Sequence, residues 1–431
     1  MKNVLIVAYY FPPMGLSGVQ RTLKFVKYLP QFGWRPIVLT TSDSKFYAYD
    51  YSLESDIPEE AAIYQTKPTG LFGKSHSGNE PDGGKGKVST SKYPSKLKQR
   101  VKRIISQTLF QPDSRRLWKK KALETAEKIF KEHDIDLVFA SGPPFTSFMV
   151  ARELSFIYDV PYMLDYRDLW VDNAYYFYAT FFHKRYAKNL ENLCLQRAEK
   201  ITVISREMKE ALIKRYDEVV GHEEITILPH GFDQEDFEGL MPLKGEKRKF
   251  TLTHSGLFPD DLTPKYFLQA TAEICEKYPE IKNDLELRFV GLMRKRDLKR
   301  IKKLDLEENT IVTGYLPHSE AVTHIMDSSV LWMMLPNNIA TPSRLFEYFG
   351  SGKPMLISMP QGGLRQIVEE SGAAFTTDFD DVESIKAGIL HFYELWKKDE
   401  LPTTPELFRS RFERRKLTEQ LSKEMLMALR Y

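Results

Sequence analysis

The stretch Thr341–Ser358, TPSRLFEYFGSGKPMLIS, holds the residues best spaced for chemistry. It spells a helix followed by a buried strand. Pro342 suits a first helical turn, where the missing N–H costs nothing. Leu345, Phe346 and Phe349 form an inward stripe. Gly350 and Gly352 are expected to end the helix, and Pro354 opens the apolar run Met355-Leu356-Ile357. A helix N-terminus carries unpaired N–H groups and partial positive charge, so Ser343 and its neighbours could hold a phosphate. Glu347 lies one turn further in on the same side, where a carboxylate could accept hydrogen bonds from sugar hydroxyls. The competing reading is a solvated helix carboxylate.

A second cluster is Asp165-Tyr166-Arg167-Asp168-Leu169-Trp170, at the end of a strand over Pro161–Asp165. Two carboxylates and an arginine in such a place are costly unless paired or used. Either they form an internal ion pair, or Asp165 or Asp168 contacts a substrate while Arg167 orients them. Other constellations carry less. Gly350-Ser351-Gly352-Lys353 imitates the end of a nucleotide-binding P-loop, but Pro354 replaces the required Ser/Thr and the helix precedes the glycines. Asp134-x-Asp136 and Asp378-x-Asp380 read as surface acids. His318 and His324, six apart, make no metal-ligand set.

The elements that must position these groups alternate strand and helix. Val4–Ala8 is a continuous apolar run, as in a parallel strand buried on both faces. A loop with Gly15 and Gly18 follows, then a helix over Val19–Gln31, Gly33, and a strand over Arg35–Thr40. A strand over Asp136–Ala140 ends at Ser141-Gly142-Pro143-Pro144. The alternation restarts after a linker at 238–249. Its strands are Phe250–His254, Leu285–Val290, Thr310–Val312 and Val330–Leu335, the first three ending near Gly256, Gly291 and Gly314. Helices are predicted over Thr263–Lys277, Phe379–Lys398 and Pro405–Leu429. The fold class is α/β, two doubly wound Rossmann-like domains.

Composition bounds the rest. A chain of 431 residues is too long for one core. No apolar run reaches the ~18–20 residues of a membrane span, and Met1-Lys2-Asn3 leads into a strand, predicting no signal peptide. Cys194 and Cys275 stand apart, which fits a reducing cytoplasm and no zinc site. A net charge of +3 is no nucleic-acid signature. The Gly/Ser/Lys-rich composition of 74–95 predicts a flexible surface loop. Lys92–Lys121 then holds eleven Lys/Arg and one acid, Asp113. Leu97, Val101, Ile104, Ile105 and Leu109 recur there at helical spacing. A basic amphipathic helix of this kind either lies on an anionic membrane surface or packs, solvated, on its own domain.

Arg344-Leu345-Phe346-Glu347-Tyr348 followed by Gly352-Lys353-Pro354 resembles the donor-site helix of retaining glycosyltransferases of family 4. Ser141–Pro144 and Asp165–Trp170 resemble segments of one subgroup, and Pro229-His230-Gly231-Phe232-Asp233 resembles the family's crossing between domains. The resemblance covers nearly the whole chain outside roughly 67–115. It implies the glycosyltransferase-B fold: an acceptor-side domain over 1–235, a nucleotide-sugar domain over 248–404, facing it across a cleft, and a helix over 405–431 that crosses back. It implies transfer of a sugar from a nucleotide-sugar donor to a glycan or lipid-linked acceptor in cell-surface polysaccharide synthesis. Anomeric configuration is retained, with no metal or other cofactor. The implied donor residues are Gly256, Leu257, Lys265, Gly291, Gly314, Tyr315, Leu316, Ser343, Arg344, Leu345 and Glu347. On the acceptor side stand Gly15, Gly18 and Arg21, which match a Gly-x-x-Arg ending, with Ser141 and Gly142. Glu347, Asp165, Arg167 and Asp168 are the implied catalytic set. The protein is expected in the cytoplasm, with the inner face of the cytoplasmic membrane as a candidate partner through 92–121.

Three positions depart from the family pattern. Leu257 stands where a diphosphate-clamping Arg is usual, with Lys265 an approximate match for the Lys a few residues on; Arg294, Lys295 or Arg344 could substitute. Ile339 replaces the first of two paired Glu, and Phe148 replaces a His. A nucleotide-sugar epimerase of the same architecture, or a lapsed enzyme kept as a binding scaffold, are the alternatives.

Overall fold

The computed structural model describes residues 1–15, 17–42, 49–67, 111–173, 178–240, 249–258, 262–335, 337 and 341–429. The amphipathic stretch 97–109, the loop 74–95, Ile339 and most of the expected linker lie outside them. The chain divides into two compact units, Met1–Pro229 with Leu417–Tyr431, and His230–Lys416.

The described residues of the first unit form a seven-stranded sheet. Its strands are β1 (Lys2–Val7), β2 (Trp34–Thr41), β3 (Ala62–Thr66), β4 (Leu137–Gly142), β5 (Tyr162–Tyr166), β6 (Lys200–Val203) and β7 (Ile225–Ile227). Val4, Leu5, Ile6 and Val7 are wholly buried, because helices cover both faces of the sheet. The second unit holds six strands: β8 (Phe250–Ser255), β9 (Leu285–Val290), β10 (Thr310–Gly314), β11 (Val330–Met334), β12 (Met355–Ser358) and β13 (Ala374–Thr377). The orders are β3-β2-β1-β4-β5-β6-β7 and β10-β9-β8-β11-β12-β13. β1 pairs in parallel with both β2 and β4, as β8 does with β9 and β11. In each sheet the chain winds outward one way and then the other. The switch points fall between β1 and β4 and between β8 and β11, where open α/β sheets place ligands at the C-terminal strand ends.

The expected domain border at 235 falls instead at Pro229/His230, and 405–416 belongs to the second unit. Phe232 is the reason. Its N–H donates to the Phe412 carbonyl at 3.0 Å, and its own carbonyl accepts from the Arg414 N–H at 2.8 Å. That pairing also breaks the single helix expected over Pro405–Leu429. A short helix, Glu406–Arg409, and a tight turn, Ser410–Phe412, precede the helix Arg414–Ala428. Beyond Lys416 this helix belongs to the first unit, with Leu417, Leu421 and Met425 in its core beside Val4 and Ile6. The helix expected from Phe379 starts at Val382, because the Asp381 carboxylate accepts from the N–H groups of Glu383 and Ser384.

Within the first unit, the helix Phe181–Leu195 buries Glu191 completely. Burial pushes its carboxyl up to about 7 against the opposing Tyr216 hydroxyl, which donates to Oε2 at 2.7 Å. A folded-state value above the unfolded one means a stability penalty that grows as pH rises from the unfolded value through 7. Glu191→Gln keeps the acceptor for Tyr216 and removes the charge. It should raise stability at pH 8 by roughly 2–3 kcal/mol and change little at pH 5. Melting curves of both proteins at the two pH values check this; an equal or lower melting temperature for the variant at pH 8 refutes it.

Candidate active site

In the second unit the C-terminal ends of β8, β9 and β10 meet in a layer of glycines. A Cβ on Gly291 would stand 2.5 Å from the Gly256 carbonyl oxygen, with φ +129° at Gly256 and +144° at Gly291. Only glycine allows this approach. Gly314 closes the layer through a bridge to Gly291. Tyr315 and Leu316 follow it, both partly buried.

The helix Ser343–Ser351 starts beside this layer, with Pro342 as its cap residue and no side chain capping its end. The Arg344 guanidinium lies over Gly256, 3.4 Å from where a Cβ there would stand, and donates to Ser255 Oγ at 2.6 Å. Leu257 is 40% exposed. Lys265 is exposed, its ammonium 4.7 Å from the ring of Tyr266. Arg294 donates to the backbone carbonyls of Phe258 and Leu262. Arg344, one of the candidates for the family's missing Arg, is brought to the glycine layer. Leu345 has a wholly buried side chain, and its N–H donates to the Pro342 carbonyl.

Glu347 is 9% exposed. His318 Nε2 stands 3.3 Å from its Oε1, and Arg344 Nη1 3.8 Å from its Oε2. Burial opposes ionisation, but the His318 hydrogen bond and the charges of Arg344 and Arg414 outweigh it and hold the carboxyl at about 2. It is therefore a carboxylate at any physiological pH, which removes the solvated-surface reading. Gly350 does not end this helix; it lies inside it, because a Cβ there would stand 2.4 Å from the Phe232 ring. Gly352, with φ +71°, is the left-handed cap.

Sequence reasoning set His318 aside as part of no metal-ligand set and passed over His254. His318 opens the helix His318–Met326, just after the strand-end segment Gly314–Pro317, and that position was its signal. His254, the penultimate residue of β8, donates from Nδ1 to the Trp332 carbonyl at 3.1 Å. Burial pulls it down to about 4, so it is a neutral imidazole. Its Nε2 has no hydrogen-bond partner among the described residues and lies 4.0 Å from a Cβ position on Gly256.

In the first unit the Asp165–Asp168 cluster resolves into two different environments. Asp165 is wholly buried and paired with Arg21, not Arg167. Arg21 reaches Asp165 from Nε and Nη2, the latter at 2.8 Å, while Ser141 Oγ and Thr202 Oγ1 each donate to it at 2.8 Å. Burial resists ionisation, but the Arg21 charge and these hydrogen bonds hold Asp165 below the usual carboxylate range. The expectation that Asp165 contacts an acceptor is corrected accordingly: no face of it is open. Arg167 donates instead to the carbonyls of Gly18 and Pro143, which ties the start of the helix Ser17–Tyr28 to the loop after β4. It does not orient Asp165.

Asp168 is the carboxylate left over. It is partly exposed and has no hydrogen-bond partner among the described residues, and burial pushes it up to about 6 against the charge of Arg167. Phe148 is wholly buried, its ring 4.7 Å from that of Tyr166, and a Cβ on Gly142 would stand 2.9 Å from it. Gly15 is buried in the loop after β1.

Two Rossmann-like domains of this strand order, each with its ligand loops at a switch point, define the glycosyltransferase-B architecture. Residues 83–236 match the family model Glycosyltransferase Family 4, and residues 242–403 match Glycosyl transferases group 1. The chain belongs to the family 4 type of glycosyltransferase and is an enzyme. Among solved structures it resembles sucrose-phosphate synthase from Thermosynechococcus elongatus, at 13% identity and TM-score 0.67, over 98% of both chains. It also resembles Anabaena HepE in complex with UDP and glucose, at 14% identity and TM-score 0.65, over 99% of this chain and 100% of that one. A glycosyltransferase from Rickettsia africae aligns at 13% identity and TM-score 0.64, over 99% and 98%. No curated protein sequence matches this one.

Proposed function

We propose that the enzyme transfers a sugar from a uridine-diphosphate sugar to a saccharide acceptor, with retention at the anomeric carbon and without a metal. The carrying observation is Glu347, held ionised beside the start of the helix Ser343–Ser351 and next to Arg344. A phosphate at that helix start receives the N–H groups near Ser343 and the Arg344 guanidinium. Glu347 then accepts hydrogen bonds from hydroxyls of the ribose or of the transferred sugar. The uridine base is supported by the solved complexes of HepE with UDP and with UDP-glucose.

In the reaction the bond from the anomeric carbon to the diphosphate breaks and one to the acceptor oxygen forms. The acceptor hydroxyl passes its proton to the departing diphosphate, which leaves with the electron pair. Arg344 and the helix N–H groups stabilise the charge that develops there, the service a metal performs elsewhere. On the acceptor side Asp168 is the open carboxylate, poised near 6 to accept a hydrogen bond from an acceptor hydroxyl.

A thermal-shift series with UDP-, GDP- and ADP-sugars tests the donor. A sugar nucleotide at 100 times its dissociation constant stabilises by about 2.7 kcal/mol. Stabilisation by UDP-sugars, and UDP release only when acceptor is added, is the expected result. Release without acceptor, or product epimerised at the sugar, refutes transfer. Activity that vanishes in EDTA refutes metal independence.

The acceptor reading adds a surface. Eleven Lys/Arg against one acid over Lys92–Lys121 favour an anionic membrane carrying a lipid-linked saccharide of cell-surface polysaccharide synthesis. No helix among the described residues is long and apolar enough to cross a membrane. Wild type should co-sediment with anionic liposomes at low salt, and a Lys98, Arg100, Lys102, Arg103 → Glu variant should not. Equal sedimentation of the two removes the membrane from the mechanism.

A further inference from the structure

The second unit contains a cavity of about 1130 Å³ that the donor site does not use. It is built where strands begin, from Lys249 before β8, Ser329 before β11 and Lys353 before β12, with the segment Leu401–Arg409 as a wall. The glycine layer and Glu347 stand at the strands' other ends, so this is a separate place in the fold.

Its charge is positive and incompletely answered. Of the acids in the wall, Glu286 and Asp327 are both paired with Arg288, at 2.5 and 2.8 Å. Glu406 is exposed. Lys353 has no hydrogen-bond partner for its ammonium among the described residues, and burial pulls its pKa down, with only Asp327 opposing. Arg409 lines the same cavity: its Nη1 is 3.5 Å from a Cβ position on Gly352 and donates to the Gly350 carbonyl at 3.0 Å. A half-buried ammonium and a guanidinium lining one cavity, with no carboxylate paired to either among the described residues, make a place where an anion lowers the free energy. The rest of the wall is chemically different. Thr403 and Thr404 supply hydroxyls, Thr404 Oγ1 being buried with no hydrogen-bond partner among the described residues, and the buried Trp396 supplies an aromatic face. Hydroxyls around an aromatic wall suit a sugar ring, and the volume exceeds what a bare phosphate would fill.

We propose that this cavity binds a phosphorylated saccharide, its phosphate on Lys353 and Arg409 and its hydroxyls at Thr403 and Thr404. The site is independent of the donor reading. Ser351, Gly352 and Lys353 line it, so the segment that imitates a P-loop in the sequence faces an anion site from the far end of the donor helix.

Isothermal titration with glucose 6-phosphate tests this, with inorganic phosphate and glucose as separate probes. Wild type should bind glucose 6-phosphate with a dissociation constant below about 1 mM and each control probe at least roughly tenfold more weakly. Lys353→Met keeps the side-chain length and removes the charge. Thr403→Trp fills the cavity from an exposed position that the core does not need. Both should weaken binding by at least roughly tenfold, while Arg344→Ala, at the glycine layer, binds as wild type. The proposal is overturned by no binding at about 10 mM, by unchanged affinity in both cavity variants, or by loss in Arg344→Ala alone. Equal affinity for inorganic phosphate overturns the saccharide part.

Discussion

Glu347→Gln should lower sugar transfer by about 10- to 100-fold at saturating acceptor. The charge-assisted hydrogen bonds that a carboxylate makes to sugar hydroxyls are worth roughly 1.5–3 kcal/mol, and a neutral amide keeps the shape without the charge. The same change acts on the fold, and the sign can be worked out. The folded-state value of about 2 lies below the unfolded one, so ionised Glu347 stabilises the second unit. That contribution is fully present above the unfolded pKa and is lost as pH falls through 2. At neutral pH the glutamine variant therefore melts lower, by an amount on the order of 3 kcal/mol, and the difference shrinks in acid. Transfer must be assayed well below the melting range, with donor affinity measured beside it. Loss of affinity and turnover in a folded variant supports the donor site; normal turnover removes its anchor. His318→Ala should reproduce part of the effect, since His318 is the closest of the groups that hold the carboxylate.

The largest stability effect is expected at the Arg21–Asp165 pair. Both side chains are essentially without solvent contact, and the pair is closed by hydroxyls of Ser141 and Thr202 and by the carbonyls of Leu228 and Pro229. Removing one partner of such a pair leaves a charge stranded in a low-dielectric interior. Arg21→Met or Asp165→Ala should each cost about 3–5 kcal/mol. For a unit of this size that is a fall of about 6 to 20 °C in its melting transition. The double variant Arg21→Met with Asp165→Leu should recover much of the loss, because replacing a whole buried pair by apolar groups is near neutral. The pH dependence has a definite sign: Asp165 sits below its unfolded value, so the pair's contribution is present above the ordinary carboxylate range and is lost on acidification. An Asp165→Asn protein that melts like wild type but does not transfer sugar would return Asp165 to the catalytic set.

Much of the architecture was legible in the residues themselves. Apolar runs such as Val4–Ala8 have one stable use in water, as strands covered on both faces, and their alternation with helical stripes dictates parallel winding. The helix Ser343–Ser351 was legible for a similarly local reason: Pro342 suits its start, and Gly352 and Pro354 can only stop and redirect the chain. What the residues could not show was partnership across distance. Asp165 and Asp168 are three positions apart with the same chemistry, and only the fold gives the first Arg21, 144 residues away in sequence, and leaves the second open. Arg167 looked like their natural partner because it is close in sequence, yet β5 ends at Tyr166 and the Arg167 guanidinium goes to the carbonyls of Gly18 and Pro143. Gly350 looked like a helix stop until Phe232, 118 positions earlier, was seen against it. His318 gained its meaning only when β10 delivered it beside Glu347. Local periodicity is a property of the chain, whereas burial, pairing and pKa belong to whichever distant groups the tertiary structure brings within a few ångströms.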